Sequence, residues 1–468
     1  MNRTSDEHIK LIQELKATIS EEKVSAEEEV LAQNAKDYTE DLEFLPDVVV
    51  TPSDVTDVSA VLAKCNELKV PVTTRGAGTG LSGAALPIHG GVVLNMSGMN
   101  QILEIDTRNL QATVEPGVIN ADFRSAVEEL GLFYPPDPAS KGSCFLGGNI
   151  AHNSGGPKAV KYGVTADYVL NLEVVLPNGE VVWTGANTLK NSTGYNLTQL
   201  MIGSEGTLGV VTKIVFKLVA KPKHDLLMLA AFDDAYPACK SVSEIMNSGV
   251  VPSGMELMER KGLQLSADHL DMAFPLEGQH DAFLMIEVDG DDLEQLFSDC
   301  EVINGILENH GVAEVLFADD AQTKSNWWKM RAAIGEVVKA HSIYKEEDTV
   351  VPRAELPELL SGVKLIGEKY GFESVCYGHA GDGNLHVNIL KSNMTDEEWN
   401  GSKLENGIRE IFRLCHSLKG TISGEHGIGL VQKKYMNEVM TDTHFQLMKG
   451  IKATFDPNGI MNPGKIFE

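Results

Sequence analysis

Apolar residues follow two different rhythms along the chain. Between residues 46 and 220 they fall in short runs broken by glycine, whereas beyond about residue 220 longer stretches carry them at helical spacing. The first rhythm predicts short strands joined by turns, over residues 48–50, 70–74, 92–94, 101–105 and 111–118. Ser53 or Asp54 caps a predicted helix that runs to about Leu68, and another is predicted over residues 121–130. Asn178-Gly179 marks a hairpin turn. The second rhythm predicts a strand over 283–288, an amphipathic helix over 291–310 that Gly311 ends, and a helix over about 320–340. Ile9, Ile12, Leu15 and Ile19 predict one or two surface helices ahead of both halves.

At 468 residues the chain exceeds what a single core usually spans. The change of rhythm divides it into an N-terminal helical segment (1–45), a first domain (46–220), a second domain (221–455) and a tail (456–468). A formal charge of −28 argues against nucleic acid and anionic membrane surfaces as partners. A small anionic substrate would therefore need a local cationic clamp, since distant surface charge is screened. Six cysteines stand singly with no Cys-x-x-Cys pair, which excludes the usual iron-sulfur and zinc-ribbon spacings and points to a reducing compartment. A polar start and the lack of a long apolar run lead to an expected cytoplasmic location without a transmembrane segment; docking at the inner membrane face stays open.

The densest chemistry lies in Gly378–Asn388, where His379 and His386 flank an Asp-Gly-Asn turn and Leu385, Val387 and Ile389 alternate with polar residues. That pattern predicts a tight turn feeding a strand, with His386 and Asn388 on one face and His379 folded back beside them. Residues 423–429 (Ser-Gly-Glu-His-Gly-Ile-Gly) add Glu425 and His426. Two imidazoles and a carboxylate form a ligand set for a divalent metal with an open position, as catalytic zinc uses.

The first domain holds several separated glycine clusters, at 75–83, 146–156 and 202–211. Gly78 to Gly83 spells G-x-G-x-x-G, but Pro87 and Gly90-Gly91 follow, leaving no room for the long helix that a Rossmann fingerprint opens. The cluster instead offers backbone amides as an anion nest with Arg75 at its rim. Clusters of this kind suggest one long ligand held mostly by main chain.

Together these segments resemble a known family. Arg75–Gly80, Pro136-Asp-Pro, Gly147-Gly-Asn-Ile, Lys161-Tyr-Gly and Gly203–Gly209 look like the FAD-binding domain of the vanillyl-alcohol-oxidase type. The two histidine segments resemble the branch of D-lactate dehydrogenases, D-2-hydroxyglutarate dehydrogenases and the flavin subunit of glycolate oxidase. The resemblance implies an α+β fold: a two-subdomain FAD-binding domain plus a substrate domain whose antiparallel sheet is covered by helices. It implies FAD contacts at Arg75, Gly76, Ala77, Gly78, Thr79, Gly80, Pro136, Gly148, Asn149, Gly155, Glu205, Val210 and Asn462, the last in a tail that returns to the flavin. Members with a histidyl link carry His near Gly78, so the FAD is expected to be non-covalent. His152 is expected to pack near the ring, and Trp327 and Trp328 to lie in the core.

The implied activity is oxidation of a D-2-hydroxy acid, of the D-lactate or glycolate type, to the 2-oxo acid. Its residues would be His379, His386 and Glu425 on a divalent metal, zinc by ligand type, His426 as general base, and Arg331, Lys345 and Asn388 on the substrate. Gly335 departs from the threonine of the hydroxyglutarate members, and residues 350–356 look more like the lactate and glycolate members. The alternatives are a D-2-hydroxyglutarate dehydrogenase, a non-redox transferase of the alkylglycerone-phosphate synthase type, and an accessory flavin subunit. Electrons would leave to a quinone, a cytochrome, an electron-transfer flavoprotein or an iron-sulfur subunit; a homodimer is compatible with all of these.

Overall fold

The computed structural model describes residues 5–39, 42–276 and 278–467. Val48–Val50, Val72–Arg75 and Val92–Asn95 form a parallel sheet in which Val92–Asn95 is central. The helix Val55–Leu68 makes the first crossover, capped by Asp54, whose carboxylate accepts from the Thr56 and Asp57 amides. Val24–Ser25 adds an antiparallel edge to Val48–Val50, a pairing that the polar N-terminal pattern does not announce. The helix Ser5–Thr18 buries Leu11 and Leu15 against this unit.

A second sheet of five antiparallel strands follows, in the order Ile102–Asp106, Gln111–Val114, Val210–Lys217, Val169–Val175, Val181–Trp183. The helix predicted over 121–130 spans Asn120–Glu128 and closes its core with Phe123 and Val127. The glycine-rich stretch after residue 145 is partly helical, Leu146–His152.

The second domain is built on a seven-stranded antiparallel sheet. Its order is Glu314–Phe317, His224–Phe232, Ala282–Gly290, Gly254–Glu259, Glu373–His379, Asn384–Leu390, Tyr344–Val350. Side chains alternate across a strand, so each strand serves two faces. One face presents Met255, Leu257, Ile286, Leu385, Val387 and Ile389 to helices that include Ala235–Asn247, Leu293–Asn309, Leu356–Tyr370 and Ser402–Ser417. The opposite face carries Met258, Phe283, Met285 and Tyr377 toward Arg260–His269 and Ala321–His341, and between these apolar residues it carries charge. Glu256, Glu287, His386 and Asp348 all stand there, each at most 5% exposed. The turn ahead of Asn384–Leu390 forms as the Asp-Gly-Asn sequence predicts, with Gly383 at φ +84° and the Gly383 amide donating to the Ala380 carbonyl.

Ion pairs and the returning tail are among the contacts that join the domains. Lys158 pairs with Glu287, while Lys161 (2.5 Å) and Tyr162 (2.9 Å) bind Asp289, so cations of the first domain meet carboxylates of the sheet. The chain's end runs back beside Val72, where the Asn462 amide donates to the Val72 carbonyl at 2.7 Å. Lys452, on the helix Asp442–Phe455, secures this return by donating to the carbonyls of Thr207 (2.8 Å) and Met461 (2.7 Å) and to the Asp456 carboxylate (2.5 Å). Lys452→Met leaves the buried Asp456 carboxylate without its cation, held only by the Ile460 and Met461 amides, and is expected to cost about 3 kcal/mol. Chemical denaturation of the two proteins checks this; equal midpoints would contradict the role given to Lys452.

Candidate functional site

A cavity of about 900 Å³ lies between the glycine segments and the charged face of the seven-stranded sheet. The first-domain wall is formed by Gly76 to Gly80, by Gly148 and Asn149, and by Ser204 to Gly206. A Cβ built on Gly148 would meet nothing within 4 Å, so the missing side chain leaves cavity space over bare backbone. Thr74 Oγ1 and His152 Nδ1, from two further lining residues, are buried without a hydrogen bond in the protein. Open backbone beside unpartnered polar atoms is the surface that a long, polar, partly aromatic cofactor such as FAD requires.

The opposite wall brings the two histidine segments together. His379 Nε2 lies 3.4 Å and His386 Nε2 3.6 Å from Glu425 Oε1. These three ligand atoms all fall within 4.8 Å of one another, the spacing of a metal-binding group. His379 is fixed from its other nitrogen, Nδ1 contacting Glu256 at 2.7 Å, whereas His386 Nδ1 makes no hydrogen bond among the described residues and faces Asp348 at 3.7 Å and Glu346 at 3.8 Å. A carboxylate behind a ligating histidine orients the ring and raises its basicity. Glu346, His386 and His426 form a second group with similar spacing. Glu346, however, already accepts from the Tyr377 hydroxyl at 3.2 Å, which makes the first group the better ligand set. No Cβ occupies the space beside Glu425 at Gly155, where one would stand 3.1 Å from Oε2.

Charge is concentrated here with little water to screen it. Burial opposes ionisation of Glu425, yet its hydrogen bond to His379 and the nearby imidazoles hold its carboxyl down at about 2. Burial, reinforced by the neighbouring His426, pulls His386 down to about 4 and leaves it a neutral ring able to ligate. Burial likewise opposes charge on His379, but Glu256 outweighs it and raises the pKa well above the usual value, a proton with which a bound cation would compete. His426 stacks on His386 with ring centres 5.1 Å apart and planes at 17°.

Residues 221–466 match the family described as "FAD linked oxidases, C-terminal domain", and residues 46–185 match "FAD binding domain". The chain belongs to the FAD-linked oxidases. It is 40% identical over 435 residues to the glycolate oxidase subunit GlcD of Bacillus subtilis (strain 168), covering 92% of this chain and 91% of the relative. It is 37% identical to a D-lactate dehydrogenase of Anaerostipes hadrus (90% and 89% covered) and 34% identical to a D-2-hydroxyglutarate dehydrogenase of Stutzerimonas stutzeri (98% of each). The solved structure of p-cresol methylhydroxylase with substrate bound superposes with a TM-score of 0.79 at 19% identity, covering 99% of this chain and 98% of that one. The fold of this FAD-linked oxidoreductase is therefore of the vanillyl-alcohol-oxidase type, with an antiparallel-sheet second domain.

Of the expected cofactor contacts, Gly76, Ala77, Gly78, Thr79, Gly80, Gly148, Asn149 and Glu205 line the cavity. Others stand behind its wall. Arg75 is buried and folds back on Gly78 rather than standing at the rim, because its strand ends beneath the loop. The Pro136 carbonyl accepts from Asn120, and Val210 is buried at the start of its strand. Asn462 is spent on the carbonyls of Ala84 and Glu205. The Glu205 carboxylate accepts from the amides of Ile428 (2.8 Å) and Gly429 (2.7 Å), tying the second histidine segment to the first domain.

The expected substrate residues divide as well. Arg331 lines the cavity, with its guanidinium 4.9 Å from the centre of the Tyr377 ring and 2.6 Å from Glu256. Asn388 is wholly buried beside the Tyr377 hydroxyl, beneath the cavity surface. Lys345 is corrected by strand parity: Tyr344 and Glu346 face the cavity, and Lys345 points to the other side, where its charge is felt by Glu405 of the helix Ser402–Ser417. Trp328 is also corrected; unlike Trp327 it reaches the cavity, and its indole donates to Glu287 at 3.0 Å.

Sequence reasoning missed Glu256, Asp348, Glu346 and Tyr377. The available signal was charge within otherwise apolar strands, Glu256 in Gly254–Glu259 and the alternating Glu287 and Asp289 in Ala282–Gly290. Gly148→Val, whose side chain would project into the cavity, is expected to weaken FAD binding about tenfold or more through overpacking. Flavin absorbance per purified chain checks this, with far-ultraviolet circular dichroism as the control; a full flavin complement would contradict it.

Proposed function

We propose that this FAD-linked oxidoreductase oxidises a D-2-hydroxy acid of the D-lactate or glycolate type to the 2-oxo acid. The observation that carries the reading is the convergence of His379, His386, Glu425 and His426 on the wall facing the glycine segments. When bound, FAD supplies the hydride acceptor, and a divalent cation, zinc by ligand type, supplies positive charge against a developing alkoxide. His379, His386 and Glu425 would hold that cation.

His426 takes the proton of the substrate hydroxyl as general base. Asp348 accepts its backbone amide at 2.8 Å and stacking on His386 sets its ring plane, so the base is held rather than mobile. Arg331 presents its guanidinium to the substrate carboxylate while Glu256 fixes its other edge at Nε. Asn388 lies wholly buried beneath the cavity surface, its side-chain amide without a hydrogen bond among the described residues. The scattered cysteines carry no iron-sulfur spacing, so the electrons pass on to a quinone, a cytochrome, an electron-transfer flavoprotein or an iron-sulfur partner subunit; the Bacillus relative is itself named as a subunit. Among the described residues no helix is long and apolar enough to cross a membrane. We propose a cytoplasmic location, compatible with attachment to the inner membrane face through such a partner.

His426→Asn is expected to slow anaerobic flavin reduction by D-lactate or glycolate about 10²- to 10⁴-fold. Stopped-flow flavin absorbance measures it; a wild-type rate in the variant would remove His426 from the role. Glu256→Gln removes the charge behind His379 and is expected to weaken metal affinity about 10- to 100-fold. Metal content after dialysis against graded chelator reads this directly, and unchanged retention would contradict the assignment of His379 as a ligand.

A further inference from the structure

The parity that turns Lys345 away brings Glu346 to the cavity wall, a few ångströms from the proposed chemistry. Its carboxylate accepts from the Tyr377 hydroxyl at 3.2 Å and lies 3.8 Å from His386 Nδ1. The Tyr377 hydroxyl in turn fills the space beside Gly335, where a Cβ would stand only 2.7 Å from its oxygen. Gly335, Tyr377 and Glu346 therefore behave as one unit: the bare helix position admits the phenol, and the phenol holds the carboxylate. Two cations on this side of the cavity already have partners of their own. Arg331 is paired with Glu256, and the Lys339 ammonium donates to the Tyr38 carbonyl at 3.1 Å.

We infer that Glu346, held by Tyr377 over Gly335, is the specificity-determining residue for the substrate side chain, admitting 2-hydroxy acids with a short neutral substituent and rejecting those with a second carboxylate. The inference rests on the hydroxy-acid oxidation proposed above. Arg331 and the metal position provide for one carboxylate and the hydroxyl it flanks. A second carboxylate two or three bonds away meets a like charge held on the cavity wall, and such a juxtaposition discriminates more sharply than a shape difference of one methylene.

The test compares glycolate and D-lactate with D-malate and D-2-hydroxyglutarate in anaerobic flavin reduction by the FAD-loaded, metal-loaded protein. Calorimetric binding of pyruvate and 2-oxoglutarate supplies a readout independent of turnover. Wild type is expected to favour the monocarboxylates about tenfold or more in both. Glu346→Gln keeps the size of the side chain and an oxygen for Tyr377; it is expected to narrow both ratios about tenfold, and Glu346→Leu to do the same without any acceptor. A merely structural residue would lower both substrate classes together and leave the ratios alone. Preference of the wild type for dicarboxylates, or ratios unmoved in both variants while D-lactate still bleaches the flavin, overturns this inference alone. Failure of every hydroxy acid to bleach the flavin overturns the underlying reading as well.

Discussion

The site depends on one buried carboxylate. Asp348 accepts from the amides of Glu425 (2.7 Å) and His426 (2.8 Å), from the Ser423 hydroxyl (2.9 Å) and from the Asn384 side chain (2.7 Å). Charge-assisted bonds of this kind are stronger than neutral ones, and four on one group compensate the cost of burying it. Burial alone would push Asp348 toward neutrality, but the charges of His426 and His386 and these donors hold it far below the usual carboxylate range. The result is mechanical. A loop more than thirty residues beyond His386 is clamped to the strand beside that histidine, and the clamped residues are the two that bear Glu425 and His426. Gly424 belongs to the same clamp, because a Cβ there would collide with the Asn384 amide.

Around that clamp the seven-stranded sheet performs two tasks with one alternation. Its apolar face is closed by helices, as in any helix-covered antiparallel sheet. Its other face is studded with carboxylates that would be costly if left unpaired, and each has a named partner. Glu256 meets His379 and Arg331, Glu287 meets Lys158 and Trp328, and Asp289 meets Lys161 and Tyr162. Two of these pairs cross to the first domain. The ion pairs that seat the glycine segments opposite the histidines thus belong to the same charged face as the site, and the cavity exists because that face is not filled by side chains.

Much of this arrangement could be read from residues in order. The Asp-Gly-Asn turn, the two imidazoles around it and the glycine clusters are local features whose geometry follows from neighbours a few positions away. The Pro and Gly pair after Gly83 correctly ruled out a Rossmann helix, since that stretch enters the strand Val92–Asn95 without one. What escaped was decided at longer range. Whether Lys345 or Glu346 faces the cavity is a matter of parity, and parity is set by pairing with Asn384–Leu390, which places Glu346 opposite Asn388. Glu256 lies 123 residues before its partner His379, and nothing local ties the two. Arg75 heads a glycine loop, and the end of its strand folds its guanidinium back over Gly78 and away from the rim.

The central claim is that His379, His386 and Glu425 hold a divalent ion against the flavin-binding wall. Anomalous diffraction from crystals of the FAD-loaded protein, collected on either side of the zinc edge, addresses it most directly. The account predicts a single strong peak about 2.0–2.2 Å from His379 Nε2, His386 Nε2 and a Glu425 oxygen, beside the isoalloxazine. Crystals with FAD seated in the cavity, the three side chains hydrogen-bonded only to one another and no peak between them, would contradict it.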